Sequence, residues 1–263
     1  MPGEKSDIVQ VERDAQIATI TINRPAKLNA LNDAVLAGLQ DALDRLERDT
    51  TVKVLIFTGA GEKAFVAGAD IETLARMDSL AAFERMTFGH RLFLRICEFP
   101  KPTIAMVNGY ALGGGFELAL SCDLMVASEN AVFGFPEITL DTLPGWGGTQ
   151  LAPRKMSPNR AREMVLTGQR YSAADCRDFG FINRLVPASN LRDVARELAT
   201  SIAKRHPFAL RMAKSALQQA HDLDLSAGMR YEALAYTANF SAPHAKAGLA
   251  AFVERRGKRP RPR

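Results

Sequence analysis

Asn108-Gly109-Tyr110-Ala111-Leu112-Gly113-Gly114-Gly115-Phe116-Glu117-Leu118 is the stretch on which the reading of the fold turns. It follows residues 102–107 (PTIAMV), an apolar run that reads as a strand, and it passes through three glycines into FELALS, whose apolar spacing is helical. Three adjacent glycines permit backbone geometry closed to other residues and let a ligand approach main-chain N–H groups. If a helix begins here, its unpaired N–H groups and positive dipole end form a site for an oxyanion, with Glu117 in the first turn. A tight strand-to-helix packing turn carrying a dipole-favoured glutamate explains the same residues, so the triplet alone leaves both readings open.

Outward from that stretch the same alternation recurs. Residues 17–22 (IATITI) have strand character and are ended by Asn23-Arg24-Pro25, because proline cannot donate to a ladder. Val35, Leu36, Leu39, Ala42, Leu43 and Leu46 repeat at helical spacing behind Asn32 or Asp33 as N-cap. Residues 52–57 (VKVLIF) and 123–127 (DLMVA) read as further strands, so the chain is α/β, built from strand–helix units. From about residue 191 the β signal disappears, and helices are expected at roughly 191–205, 207–220, 226–240 and 244–255. Pro207 and Pro243 sit near helix starts, where a missing N–H costs little. The expected division is a core over 1–190, a helical segment over 191–254 and a tail over 255–263.

Composition excludes several classes. The chain has 263 residues, 47% hydrophobic and 24% charged, which is ordinary for a globular protein and unlike collagen, a disordered chain or a disulfide mini-scaffold. No apolar run is long enough to cross a bilayer, and MPGEKSDIVQ lacks the apolar core of a signal peptide, so a cytoplasmic protein with no membrane partner is expected. Cys97, Cys122 and Cys176 are odd in number and widely spaced, and His90, His206, His221 and His244 lack ligand spacing, so no metal site is expected. Six of the last nine residues are basic (Arg255, Arg256, Lys258, Arg259, Arg261 and Arg263). Without them 28 basic residues face 29 acidic ones, so the net charge of +5 describes a tail and not a nucleic-acid-binding face.

Two further clusters carry chemistry. Gly61-Glu62-Lys63-Ala64-Phe65-Val66-Ala67-Gly68-Ala69-Asp70-Ile71 follows a strand and has small residues where a ligand would need close approach. In Phe133-Gly134-Phe135-Pro136-Glu137-Ile138, followed by Leu143-Pro144-Gly145-Trp146-Gly147-Gly148-Thr149-Gln150, aromatic and glycine-rich surroundings can desolvate Glu137 and raise its pKa toward general-acid use. A loop carboxylate in water is the plainer reading of Glu137 alone. No dinucleotide fingerprint, P-loop or serine-hydrolase elbow is present.

Taken in order, residues 23–31, AFVAGADI, NGYALGGGFELAL with CDLMVAS, FGFPEI, PGWGGTQ and the helical C-terminal part resemble the crotonase, or enoyl-CoA hydratase/isomerase, superfamily over nearly the whole chain. The resemblance implies a core of ββα units wound into a superhelix, with a C-terminal helical domain that makes trimers and commonly dimers of trimers. It implies reversible addition of water across the 2,3 double bond of a 2-enoyl-CoA, in fatty acid or related acyl-CoA degradation. It assigns the oxyanion hole to the N–H groups of Ala69 and Gly114, activation of water for attack at C3 to Glu117, protonation of C2 to Glu137, and help in holding the water to the Gly145 N–H. Arg24, Lys27, Lys63, Ala67, Asp70 and Ile71 fall on segments that bind coenzyme A, which is part of the substrate; no separate cofactor and no metal are implied.

The chain departs from the common hydratase pattern at four places. Glu72 stands where many relatives carry Lys, Phe135 where some have Gln, Trp146 where many have Ala, and Asp141 where Gly is frequent. Phe135 and Trp146 are bulky enough to reshape an acyl pocket, and Asp141 reads as a solvated carboxylate rather than a third pocket acid. Glutamate at both catalytic positions favours hydration over the alternative, an enoyl-CoA delta isomerase, which needs only the acid corresponding to Glu137, or another acyl-CoA enzyme of the superfamily.

Overall fold

The computed structural model of the chain describes residues 8–257; the side chains of Glu72 and of residues 255–257 lie outside that description, as does most of the basic tail. The described chain divides into two compact units, with the boundary between residues 203 and 204.

The first unit begins with an antiparallel pair, β1 (Val9–Asp14) and β2 (Ile17–Ile22), followed by helix α1 (Asp33–Arg48). The Asn32 side chain caps α1 by accepting from the Val35 N–H, and Val35, Leu36, Leu39, Ala42, Leu43 and Leu46 are its buried face. Three turns of a repeating pattern follow. β3 (Val54–Gly59) leads to β4 (Ala64–Ala67), the short helix α2 (Ile71–Leu74) and α3 (Ser79–Cys97). β5 (Thr103–Val107) leads to β6 (Tyr110–Leu112) and α4 (Gly114–Ser121). β7 (Leu124–Ser128) leads to β8 (Val132–Gly134), α5 (Gly148–Lys155) and α6 (Pro158–Thr167). Each turn contributes one strand to a large sheet and the next to a small one. With β9 (Arg170–Ser172), α7 (Ala173–Cys176) and β10 (Arg184–Val186), the orders become β1-β2-β3-β5-β7-β10 and β4-β6-β8-β9. This is the expected superhelix of ββα units.

Strand alternation distributes the apolar side chains between two layers. Leu55, Phe57, Ala105 and Val107 point into the main core with α1 and the aromatic residues, while Val54, Ile56, Ile104 and Met106 face the other way. That outer face is covered by α8 (Leu191–Ala203), whose Leu191, Ala195, Ala199 and Ala203 lie one helical turn apart. The boundary expected at residue 190 is therefore corrected. A flat stripe of alanines seats α8 on the β-branched surface of the sheet, so it belongs to the core unit. The second unit contains α9 (Pro207–Gln219), α10 (Leu225–Ser241) and α11 (Pro243–Gly257), close to the helices expected there. No described helix is long and apolar enough to cross a membrane.

Candidate active site

The glycine triplet is where β6 becomes α4. The chain turns at Gly113 with φ 49° and ψ −124°, a conformation that disfavours any side chain. The Gly113 N–H donates to the Gly134 carbonyl at 2.9 Å, tying the turn to the end of β8. A Cβ at Gly115 would fall on the Val66 carbonyl, so glycine there is what lets α4 press against β4. All eight residues of α4 are buried.

Leu31 forms a parallel bridge with Ala69: its N–H donates to Gly68 O at 2.9 Å and its carbonyl accepts from the Asp70 N–H at 3.0 Å. In such a bridge the N–H and carbonyl of the middle residue face the opposite edge. Ala69 and Gly114 each lie two residues beyond the last pair of the β4–β6 ladder, Ala67 with Leu112. Neither the Ala69 nor the Gly114 N–H donates to a carbonyl among the described residues. Gly114 is the first residue of α4, where helical geometry leaves the N–H without an internal acceptor. The structure thus gives both expected donors the same placement, at adjacent strand ends.

Glu117 lies one turn into α4 and is 1% exposed. Its Oε1 accepts from the N–H groups of Trp146 at 2.8 Å and Gly148 at 2.7 Å. Glu137 sits in a 3₁₀ turn, Pro136–Leu140, and its carboxyl lies against Gly113: a Cβ there would come within 2.5 Å of Oε1. Glu137 Oε2 is buried and has no hydrogen-bond partner among the described residues. Burial pushes Glu117 up to about 7, with the Glu137 charge acting in the same direction and the two N–H donors opposing it. Burial also raises Glu137 to about 7. Burial thus raises both carboxyls toward neutral pH, and Glu137 lies against Gly113, next to the Gly114 N–H.

The turn between Leu143 and Gly148 closes the site. Gly145 packs against the Met86 sulfur, and its expected N–H role is distinct from the two donors that hold Glu117, which come from Trp146 and Gly148. The Trp146 ring is 3% exposed, lies against Gly114 and Gly89, meets Phe93 edge-on at 5.7 Å, and is covered by the Arg85 guanidinium at 5.4 Å. Arg85 is itself buried, pairs with Asp33 and donates to the Leu31 carbonyl at 3.2 Å. Phe135, by contrast, is fully buried and packs tilted against Phe116 at 4.8 Å between ring centroids, joining an aromatic cluster with Phe133 and Phe181. Asp141 is exposed with φ 54°, a left-handed conformation that glycine adopts without strain.

Of the residues expected to meet coenzyme A, Ala67, Asp70 and Ile71 flank the strand end at Ala69, whereas Lys63 precedes the start of β4. Lys27 and Lys63 are exposed, and Ile71 is 59% exposed at the start of α2. The Ala67 N–H is taken by the Leu28 carbonyl at 3.0 Å. Arg24 is largely covered; its guanidinium donates to Ala30 O at 2.5 Å and reaches Asp70 at 3.5 Å, so it braces the loop that carries Ala69. Sequence reading missed the amides that hold these loops together. Asn29, fully buried at φ 59°, donates to the carbonyls of Ala60 and Ala64 and accepts from the Arg24 N–H. Asn108 donates to Gly59 and Gly61. No cluster of potential metal ligands occurs among the described residues.

The Enoyl-CoA hydratase/isomerase family matches residues 12–259. The chain is 38% identical over 248 residues to a short-chain-enoyl-CoA hydratase of Clostridium acetobutylicum, covering 94% of this chain and 95% of that protein. It is 37% identical over 246 residues to a crotonyl-CoA hydratase of Syntrophomonas wolfei, covering 94% and 95%. The crystal structure of enoyl-CoA hydratase from Bacillus anthracis superposes with a TM-score of 0.91 at 37% identity, over 94% of this chain and 96% of that one. The wound ββα core and a match that spans both units lead to one assignment: the chain belongs to the enoyl-CoA hydratase/isomerase family.

Proposed function

We infer that the chain is an enoyl-CoA hydratase that adds water reversibly across the 2,3 double bond of a 2-enoyl-CoA to give a 3-hydroxyacyl-CoA, in acyl-CoA degradation. The observation that carries the reading is the pair Glu117 and Glu137, both buried and both raised to about 7, beside strand ends with free N–H groups. In the proposed reaction the N–H groups of Ala69 and Gly114 take the thioester oxygen, where negative charge builds as the β-carbon is attacked. Preorganised donors of this kind contribute about 3–4 kcal/mol each. Glu117, held by the Trp146 and Gly148 N–H groups, removes a proton from water as it attacks C3. Glu137 delivers a proton to C2, and the free Glu137 Oε2 is the oxygen available to carry it. The Gly145 N–H is assigned to the water.

Coenzyme A belongs to the substrate, and the exposed Lys27 and Lys63 suit its phosphates; Arg24 is better placed as a brace. The chemistry requires no nicotinamide, flavin or metal. A cytoplasmic enzyme, assembled as a homotrimer or a dimer of trimers, completes the proposal. The family's isomerases move a double bond without incorporating solvent oxygen, so the product separates the two readings. The test is the loss of conjugated ultraviolet absorbance when crotonyl-CoA meets the protein. Glu117→Gln and Glu137→Gln are each expected to lose at least about 100-fold, the scale of general acid–base contributions, while keeping the fold. Near-normal rates in either variant would overturn the role given to that residue.

A further inference from the structure

We propose that the Trp146 indole is the end wall of the acyl pocket and restricts the enzyme to short acyl chains. The inference rests on the hydratase reading for its placement of substrate. The order of groups along an enoyl thioester fixes what C4 meets. The carbonyl oxygen lies at Ala69 and Gly114, C2 at Glu137 and C3 at Glu117, so C4 is the first atom beyond the carboxyl of Glu117. The Trp146 ring borders that region: its edge lies where a Cβ on Gly114 would be, 2.7 Å from Cζ3 and 2.8 Å from Cε3, and the backbone N–H of the same residue donates to Glu117 Oε1.

The ring is held by packing on several sides, and its buried Nε1 has no hydrogen-bond partner among the described residues. A side chain at Gly89 would overlap its Cδ1 and Nε1 edge, so α3 approaches it without an intervening side chain. Phe93 stands against it edge-on, and the buried Arg85 covers a face while being anchored to Leu31 and Asp33. Met86 packs on the neighbouring Gly145. A chain longer than a few carbons has to displace an indole held by these contacts. The local geometry was built around the ring, since both Gly89 and Gly114 exclude any larger residue while it is present.

The test compares wild type with Trp146→Ala and with Trp146→Leu, the second keeping more of the buried apolar surface should the first fail to fold. The measured quantity is kcat/KM for crotonyl-CoA, hex-2-enoyl-CoA and dec-2-enoyl-CoA. Wild type is expected to fall at least about tenfold from the four- to the ten-carbon chain, whereas a pocket with room would gain roughly 0.8 kcal/mol, about fourfold, per buried methylene. The variants should raise the ten-to-four-carbon ratio at least about tenfold. Equal efficiency on all three chains in wild type, or an unchanged ratio in a folded variant, would overturn the proposal. Failure of wild type to hydrate any of them counts against the hydratase reading instead. The wall is then read without chemistry, from calorimetric binding of butyryl-CoA and decanoyl-CoA. Wild type should favour butyryl-CoA and the variants decanoyl-CoA; a wild type that prefers decanoyl-CoA would sink the idea.

Discussion

The two glutamates differ in how their oxygens are occupied. Glu117 Oε1 is saturated by two N–H donors, whereas Glu137 Oε2 has no partner among the described residues, an arrangement that favours charge on Glu117 and a proton on Glu137. Since both titrate near 7, kcat/KM should be bell-shaped around neutrality, with its limbs belonging to the pair. A pH–rate profile checks this; a flat rate from pH 5 to 9 would contradict it. Stability follows from the same shift. A carboxyl whose pKa is raised on folding stabilises the fold fully below its ordinary value of 4.5 and loses that contribution as pH rises through about 7. The melting temperature of wild type is therefore expected to fall between pH 5 and 8, and Glu137→Gln should flatten the fall, by about 2–4 °C for each kcal/mol recovered. The carboxyls themselves were legible in the sequence because they stand in glycine-rich and aromatic segments. The groups that position them were not. Trp146 and Gly148 act through main-chain N–H groups, which any residue but proline supplies, and Arg85 looks like one more cation on a helix until its burial is known.

At the level of elements, α4 depends on contact without side chains. A Cβ at Gly115 would coincide with the Val66 carbonyl, and neither partner is a flexible side-chain tip. Gly115→Ala is expected to cost about 3 kcal/mol or more, the upper range for overpacking, whereas Asn32→Ala, which only removes the cap of α1, should cost about 1 kcal/mol. Thermal melts of the two variants side by side check the contrast. β2 and α1 were readable because each satisfies one period, two for the strand and 3.6 for the helix. β1 and β4 escaped notice, since Val9–Asp14 mixes apolar with charged residues and Ala64–Ala67 is too short for a pattern. α8 was recognised as a helix but placed in the wrong unit. Its alanine stripe is compatible with either a helical bundle or a sheet, and only the apolar outer face of β3, β5 and β7 decides between them.

For the whole molecule, the second unit leaves large apolar side chains exposed in the single chain. α10 has no fully buried residue, and Leu225, Met229, Leu234 and Tyr236 on it and Leu249, Phe252 and Val253 on α11 are exposed. Apolar surface on this scale is what the proposed trimer or hexamer would cover. Sedimentation equilibrium should give the mass of a trimer or a hexamer, and Leu234→Glu combined with Phe252→Glu should shift it toward the monomer; a monomeric wild type would refute the proposed assembly. The turn around Trp146 carries a different consequence. It serves Glu117 through backbone groups and the acyl chain through a side chain. Because a peptide N–H is indifferent to what hangs from the next carbon, substrate range and chemical competence can vary independently at one position. Descendants of this enzyme could change diet by a single codon while inheriting the same acid–base apparatus.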